Sequence, residues 1–368
     1  MNKIAIDASR AFLHERTGIE EYSYQLIKYL RVPLGQEHVT LYLRRGTREN
    51  IDFSLPKTWR VKELWSPRFW TYVRLSLALL IHRPTHLLVP GHIAPPIHPK
   101  KTTVVVHGLE FEINPEAYSR YEQVSMRRGI KNSCKWARNI VCVSNNTKRD
   151  LVRIYQVKKE KVRVAYEGMN VAPPEQQELT ATVLHKYHLQ EKGFIIFIGR
   201  LEERKNIIQI LKAYEILRRH FLLSHKLVLV GKGGFGFERI QEEIMSHPFK
   251  DDIVLTGFIS VDEKWALLRN AAVFVFPSLY EGFGLPVLEA QQVGVPVVTS
   301  NNSSLREVAG DSALLVDPLS ATDIAEKTYA LLANHDVRES AIAHGYENIK
   351  RFTWERCARL VAKMLLRK

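Results

Sequence analysis

The chain has 368 residues, 45% of them hydrophobic and 25% charged, usage that excludes collagen, extended disorder and an acidic tail. At about 100 to 200 residues per domain, this length gives two domains and room for an enzyme's core. Lys and Arg number 53 against 39 Asp and Glu, a net charge of +14, and the whole excess lies in residues 1–168, which hold 29 basic and 15 acidic side chains.

That basic half calls for an anionic counterpart, whether a membrane surface, a phosphorylated substrate or nucleic acid. The first residues, MNKIAIDASR, run into a strand without an apolar leader. Cys134, Cys142 and Cys357 show neither a CxxC pair nor metal-ligand spacing, so the expectation is a cytoplasmic protein with buried thiols.

In chain order, KIAIDAS, VTLYLRR, HLLVP, TTVVVHG and NIVCVS read as strands of the first half, with helices over 19–31, 120–137 and 146–155. Residues 68–83, RFWTYVRLSLALLIHR, place Phe69, Trp70, Val73, Leu77, Leu80 and Ile81 at helical spacing. A buried core helix is the expectation there. A helix lying in a membrane interface is the alternative, supported by Trp65 and Tyr72. The apolar stretch from Leu75 to Ile81 is far short of the ~20 residues that span a bilayer. In 120–138 a helix would gather Arg120, Arg127, Lys131, Lys135 and Arg138 in a sector of about 80°, with Met126, Ile130, Cys134 and Ala137 on a separate buried stripe.

In the second half GFIIFIGR, KLVLVGKG, DIVLTG, VFVFPS and VPVVTS are strands, with helices over 206–220, 236–246, 262–270, 285–293, 321–333 and 335–349. Strands rich in Val and Ile, alternating with helices, indicate parallel sheets covered on both faces. The order implies two doubly wound α/β domains, 1–169 and 170–349, with a final helical segment 350–368 and a seam in YEGMNVAPPEQQ at 166–177. Ligands of such sheets bind at the carboxyl ends of the strands, and the expected active site is a cleft between the two domains.

Two loops carry the chemistry. After VFVFPS come Glu281, Gly282, Phe283 and Gly284, then a helix opening at Leu285 and Pro286 and carrying Glu289. Glycines let the main chain approach a ligand, and a helix start suits phosphate. The two glutamates should serve different parts of one ligand. The second loop, GRLEERKN, offers Arg200 and Lys205 to neutralise a diphosphate, with Arg204 read as a solvated bystander.

GRLEERKN followed about 75 residues later by EGFGLPVLE resembles the donor-binding signature of the retaining glycosyltransferases of family 4. The likeness extends to SSLREVAGDSALLVDP, VVVHGLEFEINPEAYS and IVCVSNNTKRDL, and points toward mannosyltransferase-type enzymes of bacterial surface polysaccharides. It implies the GT-B architecture, two Rossmann-like domains facing across a cleft, with the donor on the second, the acceptor largely on the first, and the last helix crossing back to the first. By this resemblance Arg200 and Lys205 grip the diphosphate, Glu281 meets the donor sugar and the main chain of Gly282, Phe283 and Gly284 binds its hydroxyls. Leu285 belongs to the same donor loop, Glu289 takes the ribose hydroxyls, and His107 lies near the reacting centre. Gly18 and Ile19 match the family's glycine-bearing loop close to the phosphates and the acceptor, which makes Gly18 a donor-binding residue, although Glu20 and Glu21 stand where the family often has glycine or arginine, and Gly108 stands where aspartate is common.

The expected reaction is transfer of a hexosyl group from a nucleotide diphosphate sugar with retention, without cofactor or metal, to a glycan or a lipid-diphosphate-linked acceptor. GDP-mannose is the favoured donor, with base selection near Gly257, Phe258 and Ile259. The basic first domain suggests an anionic membrane surface, and hence a peripheral enzyme on its inner face. The alternatives are a nucleotide-sugar epimerase or glycosyl phosphorylase on the same fold and, against the balanced second half, a nucleic-acid-binding protein.

Overall fold

A computed structural model describes residues 3–16, 18–65 and 69–367. Arg68, where the 68–83 reading begins, lies outside them. The chain divides into two compact units, residues 1–168 with 352–368, and residues 169–351.

The first unit opens with β1 (Lys3–Asp7), α1 (Ile19–Leu30), β2 (His38–Arg44) and β3 (Trp59–Leu64). A π-helical turn, Trp70–Leu75, then runs into α2 (Ser76–His82), followed by β4 (His86–Val89) and β5 (Lys101–Val106). Next come α3 (Glu110–Ile113), α4 (Arg120–Trp136), β6 (Asn139–Cys142), α5 (Asn145–Tyr155) and β7 (Val162–Val164). All seven strands pair in parallel in the order β3-β2-β1-β4-β5-β6-β7. The crossings from β3 to β4 and from β5 to β6 run the same way, so right-handed connections put α2 and α4 on one face and α1 on the other. A capping box, Ser119 with Glu122, starts α4. Its stripes separate, with Ile130, Cys134 and Ala137 buried, Met126 only half-buried, and Arg120, Arg127, Lys131, Lys135 and Arg138 exposed.

The 68–83 segment departs from the core-helix expectation. Trp70, Leu75, Ala78 and Leu79 are buried, but Phe69, Tyr72, Val73, Leu77, Leu80 and Ile81 are exposed. The segment is apolar on both sides, and only one side faces the sheet.

The second unit holds α6 (Gln177–Lys186), β8 (Phe194–Ile198), α7 (Ile207–Arg219), β9 (Lys226–Val230), α8 (Phe237–Ser246), β10 (Ile253–Gly257), α9 (Val261–Asn270) and β11 (Val273–Phe276). It continues through α10 (Leu285–Gln292), β12 (Val297–Ser300), α11 (Leu305–Ala309), β13 (Leu314–Val316), α12 (Ala321–Ala333) and α13 (His335–Ile349). Its parallel sheet runs β10-β9-β8-β11-β12-β13. Every residue of β8 and β11 is buried, as sheets covered on both faces require. The chain then returns to the first unit as α14 (Trp354–Leu365), which packs on α1, β4 and β5. Gly168 lies so close to Trp354 that a Cβ there would be 2.3 Å from the Trp354 nitrogen. No helix among the described residues is long and apolar enough to cross a membrane.

Candidate functional site

The site in the second unit follows from strand order. From β8 the chain moves outward through β9 to β10, then returns to pair β11 on the other side of β8. The loops after β8 and β11 therefore diverge at a topological switch point and leave a crevice between their starts. Lys205 and Glu281, 76 positions apart, meet there with Nζ donating to Oε1 at 2.5 Å. Lys205 is 9% exposed and Glu281 8%. The ammonium also lies 5.1 Å from the centre of the Phe276 ring at the end of β11.

Arg204 is the correction in this loop. It is no solvated bystander, because its guanidinium reaches Glu281 Oε2 at 3.1 Å and Glu202 Oε1 at 2.7 Å, and donates to the Tyr280 carbonyl. Burial by itself would raise the Glu281 carboxyl, but Lys205 and Arg204 outweigh it and hold the group below its ordinary value. Arg200, by contrast, is exposed at the end of β8, so the two cations predicted to act together differ in kind. Lys205 is part of a buried cluster, whereas Arg200 is available to an incoming anion.

The loop of Glu281, Gly282, Phe283 and Gly284 is held from behind. Ser304 Oγ donates to the carbonyls of Glu281 (2.8 Å) and Phe283 (2.6 Å), and the Glu281 amide donates to Ser303 Oγ at 3.2 Å. Gly284 has φ of 120°, and a Cβ there would lie 2.7 Å from Leu305. α10 begins immediately after it, with Leu285 and Pro286 in its first turn, so the positive end of the helix opens beside the cations. Farther along α10, Glu289 Oε1 is bound by Lys264 of α9 at 2.7 Å, and Oε2 takes no part in that pair.

One loop carried no role in the sequence reading. After β9 comes Gly231-Lys232-Gly233-Gly234, whose strand-to-glycine pattern was the available signal. A Cβ on Gly231 would lie 1.9 Å from the Gly199 carbonyl oxygen, and one on Gly234 3.1 Å from Arg200 Cδ. This loop therefore braces Arg200. Lys232 Nζ sits 4.2 Å over the ring of Phe258, which stands exposed next to Gly257 and Ile259.

In the first unit β1 and β4 form the corresponding switch point. Gly18 caps α1 with φ of 48°, and the carboxylates of Glu20 and Glu21 in the first turn of α1 pair with Arg10 (3.0 Å) and Arg16 (3.1 Å) of the preceding loop. His107 follows β5, and both ring nitrogens face acceptors: Nε2 lies 2.7 Å from the Pro90 carbonyl and Nδ1 3.5 Å from Glu167 Oε1. The edge-on ring of Tyr22 completes this setting, at 4.5 Å between centres. Glu167, buried here, had been read only as part of the seam between domains.

His92, in the loop after β4, packs 5.4 Å from the His107 ring. Burial, with added repulsion from His107 and Arg10, lowers it to about 3. The unfolded chain then binds the His92 proton below about 6.5 and the folded chain does not, so stability is full above that value and declines on acidification toward 3. Between pH 7 and 5 this group should cost about 1 to 2 kcal/mol, and His92→Asn should flatten that part of the unfolding profile. An unchanged profile in the variant would remove His92 as the cause. The three cysteines are buried and unpaired, and burial pushes Cys134 and Cys357 up to about 12, which leaves them without nucleophilic character near neutrality.

Residues 16–172 match the family described as Glycosyltransferase Family 4, and residues 185–348 match Glycosyl transferases group 1. The O-antigen chain mannosyltransferase B of Escherichia coli is 30% identical over 381 aligned residues, covering 96% of each chain. Among solved structures, sucrose-phosphate synthase from Thermosynechococcus elongatus superposes with a TM-score of 0.74 at 20% identity, over 99% of this chain and 98% of that one. Anabaena Alr3699/HepE in complex with UDP and glucose gives 0.71 at 14% identity, over 99% of both chains.

Proposed function

We propose, because this chain belongs to glycosyltransferase family 4, that it transfers a mannosyl group from GDP-mannose, with retention, to a glycan or lipid-diphosphate-linked acceptor of a cell-surface polysaccharide. The observation that carries the reading is the cluster of Lys205, Arg204 and Glu281 at the switch point, flanked by exposed Arg200 and the start of α10. The mannosyltransferase relative supports the sugar, and the neighbour bound to UDP and glucose supports a nucleotide-linked donor.

In this reading Arg200 and the remaining hydrogens of the Lys205 ammonium take the diphosphate, and the α10 terminus adds to them. As the bond from C1 to the leaving oxygen stretches, negative charge grows on the phosphate and positive charge on the ring. Cations already fixed in place stabilise the first without reorganising. Glu281, kept ionised by its two partners, meets the hydroxyls of the sugar, assisted by the main chain of residues 282–284. Glu289 takes the ribose through Oε2, and the base lies at Gly257, Phe258 and Ile259 beside Lys232. Gly18 lies close to the donor phosphates and the acceptor, and His107 lies near the sugar and the reacting centre, its ring oriented by Pro90 and Glu167. The excess charge of the first unit suits an anionic membrane.

A panel of nucleotide sugars, with and without acceptor, tests the assignment. GDP-mannose should release GDP and give a product whose anomeric configuration, read by NMR, matches the donor. Epimerised sugar or free sugar phosphate would replace the transferase with its rivals. Arg200→Ala should lower kcat/KM by about 10- to 150-fold, the loss of one charge-assisted contact, with unchanged thermal unfolding because the side chain is exposed. A change within about threefold would take Arg200 out of the diphosphate site.

A further inference from the structure

The π-helical turn and α2 present an apolar surface that nothing among the described residues of the first unit covers. Val73, Leu77, Leu80 and Ile81 recur at i, i+4, i+7 and i+8, the spacing of one helical face, and all are exposed, Ile81 at 74%. Phe69, just before the turn, is 68% exposed, and Trp65, just after β3, is 64% exposed. Isolated exposed apolar residues are ordinary, but six within residues 69–81, Tyr72 included, are not.

The surface is also firmly held. Trp70 buries its ring and donates from Nε1 to Asp7 Oδ1 at 3.0 Å, which anchors the turn at the end of β1. Leu75, Ala78 and Leu79 pack into the core beneath it. Phe69 itself is kept in the left-handed region at φ of 57°, a conformation that a bulky residue adopts only under constraint from its surroundings. On the flank toward α4, the Tyr72 hydroxyl lies 3.4 Å from where a Cβ on Gly129 would sit, so the two helices adjoin.

Charge identifies the occupant. Residues 57–83 contain Lys57, Arg60, Lys62, Arg68, Arg74 and Arg83 against a single acid, Glu63. Arg74 and Arg83 are exposed within and at the end of the apolar element, and α4 brings exposed Arg128 next to Gly129. Aromatic and aliphatic side chains bordered by arginines match a bilayer interface, where rings sit at headgroup level and the cations meet lipid phosphates.

We infer that the π-turn and α2, residues 69–82, form a wedge that inserts its apolar face into an anionic lipid surface while the neighbouring arginines bind the headgroups. This deepens the proposed function by naming the face that meets the membrane, and it rests on that reading only for the purpose of docking, since binding needs neither donor nor acceptor.

Flotation of the full chain with vesicles of equal phosphatidylglycerol and phosphatidylcholine, and with phosphatidylcholine alone, provides the test. The native chain should float with the anionic vesicles and retain a substantial fraction at 0.5 M salt (about a 4 Å Debye length), where charge alone is screened. The triple variant Phe69→Ser/Leu80→Ser/Ile81→Ser should bind at least about tenfold less, because it removes most of the inserted face, with unchanged thermal unfolding and unchanged donor hydrolysis in the absence of vesicles. Brominated lipid should quench tryptophan fluorescence in the native chain, and part of that quenching should vanish in Trp65→Phe. Flotation of the triple variant equal to native, or loss of all native binding in 0.5 M salt, would overturn the wedge. A native dimer that the triple variant abolishes, without flotation, would assign the face to a second copy instead. Donor turnover without flotation would remove the wedge and leave the transferase standing, and flotation without turnover of any nucleotide sugar would do the reverse.

Discussion

Lys205→Ala should lower kcat/KM by at least about 100-fold and also lower the unfolding temperature, two losses with one origin. The ammonium donates to Glu281 at 2.5 Å within a buried cluster. Its removal deletes a charge-assisted contact to the donor, worth about 1.5 to 3 kcal/mol, and lets the carboxylate that positions the sugar shift. It also strips a buried anion of one of its two cations. Breaking a buried pair on one side costs about 3 to 5 kcal/mol, and Arg204, still 3.1 Å from Glu281, keeps the expectation at the lower end. For a unit of this size that corresponds to roughly 6 to 12 °C. Adding Glu281→Gln should recover much of the stability and none of the activity, since the amide no longer needs a cation. Turnover of Lys205→Ala within about threefold of native would sink the diphosphate assignment. The depressed Glu281 carboxyl keeps the cluster charged at neutral pH, and its contribution fades only as the pH falls below the ordinary carboxylate range.

Gly231→Ala should be the most damaging single methyl group in the second unit. The residue has φ of 142°, and a Cβ would lie 1.9 Å from the Gly199 carbonyl oxygen. Both groups are main chain, at the ends of paired strands β9 and β8, so neither can swing aside as a flexible side chain would. The strained conformation and the overlap together should cost about 3 kcal/mol or more. The two loops would part, displacing Arg200, so donor affinity should fall along with stability. Calorimetry and nucleotide titration check this, and a variant with native unfolding temperature and native affinity would show that the two loops do not brace each other. Gly233→Ala makes a useful contrast, because its nearest obstruction is the Phe237 side chain.

The donor motifs were legible because they are local. A buried strand, a loop with cations or glycines and a helix start are consecutive in the chain, and each names its own chemistry. Arg204 differs from the solvated residue expected because a short turn, which has no periodic signal, decides where neighbouring basic side chains point. Here the 3-10 turn Glu203–Lys205 directs both Arg204 and Lys205 at Glu281 and leaves Arg200 outside. Short elements such as β7 and β13, three residues each, were too brief for a periodic signal. Residues 68–83 posed a different difficulty, since a helix apolar all round does not indicate which side will meet the sheet.

Composition and periodicity alone determined two doubly wound units, the charge asymmetry between them and the loops that carry cations, glycines and carboxylates. Tertiary structure decided which of those groups meet. Lys205 and Glu281 form a pair because β11 returns to the side of β8 opposite β9, a choice of strand order that no segment of 76 residues encodes locally. The same holds for the exposed face of α2, since the sheet has room beneath it for one apolar side and leaves the other to whatever lies beyond the protein.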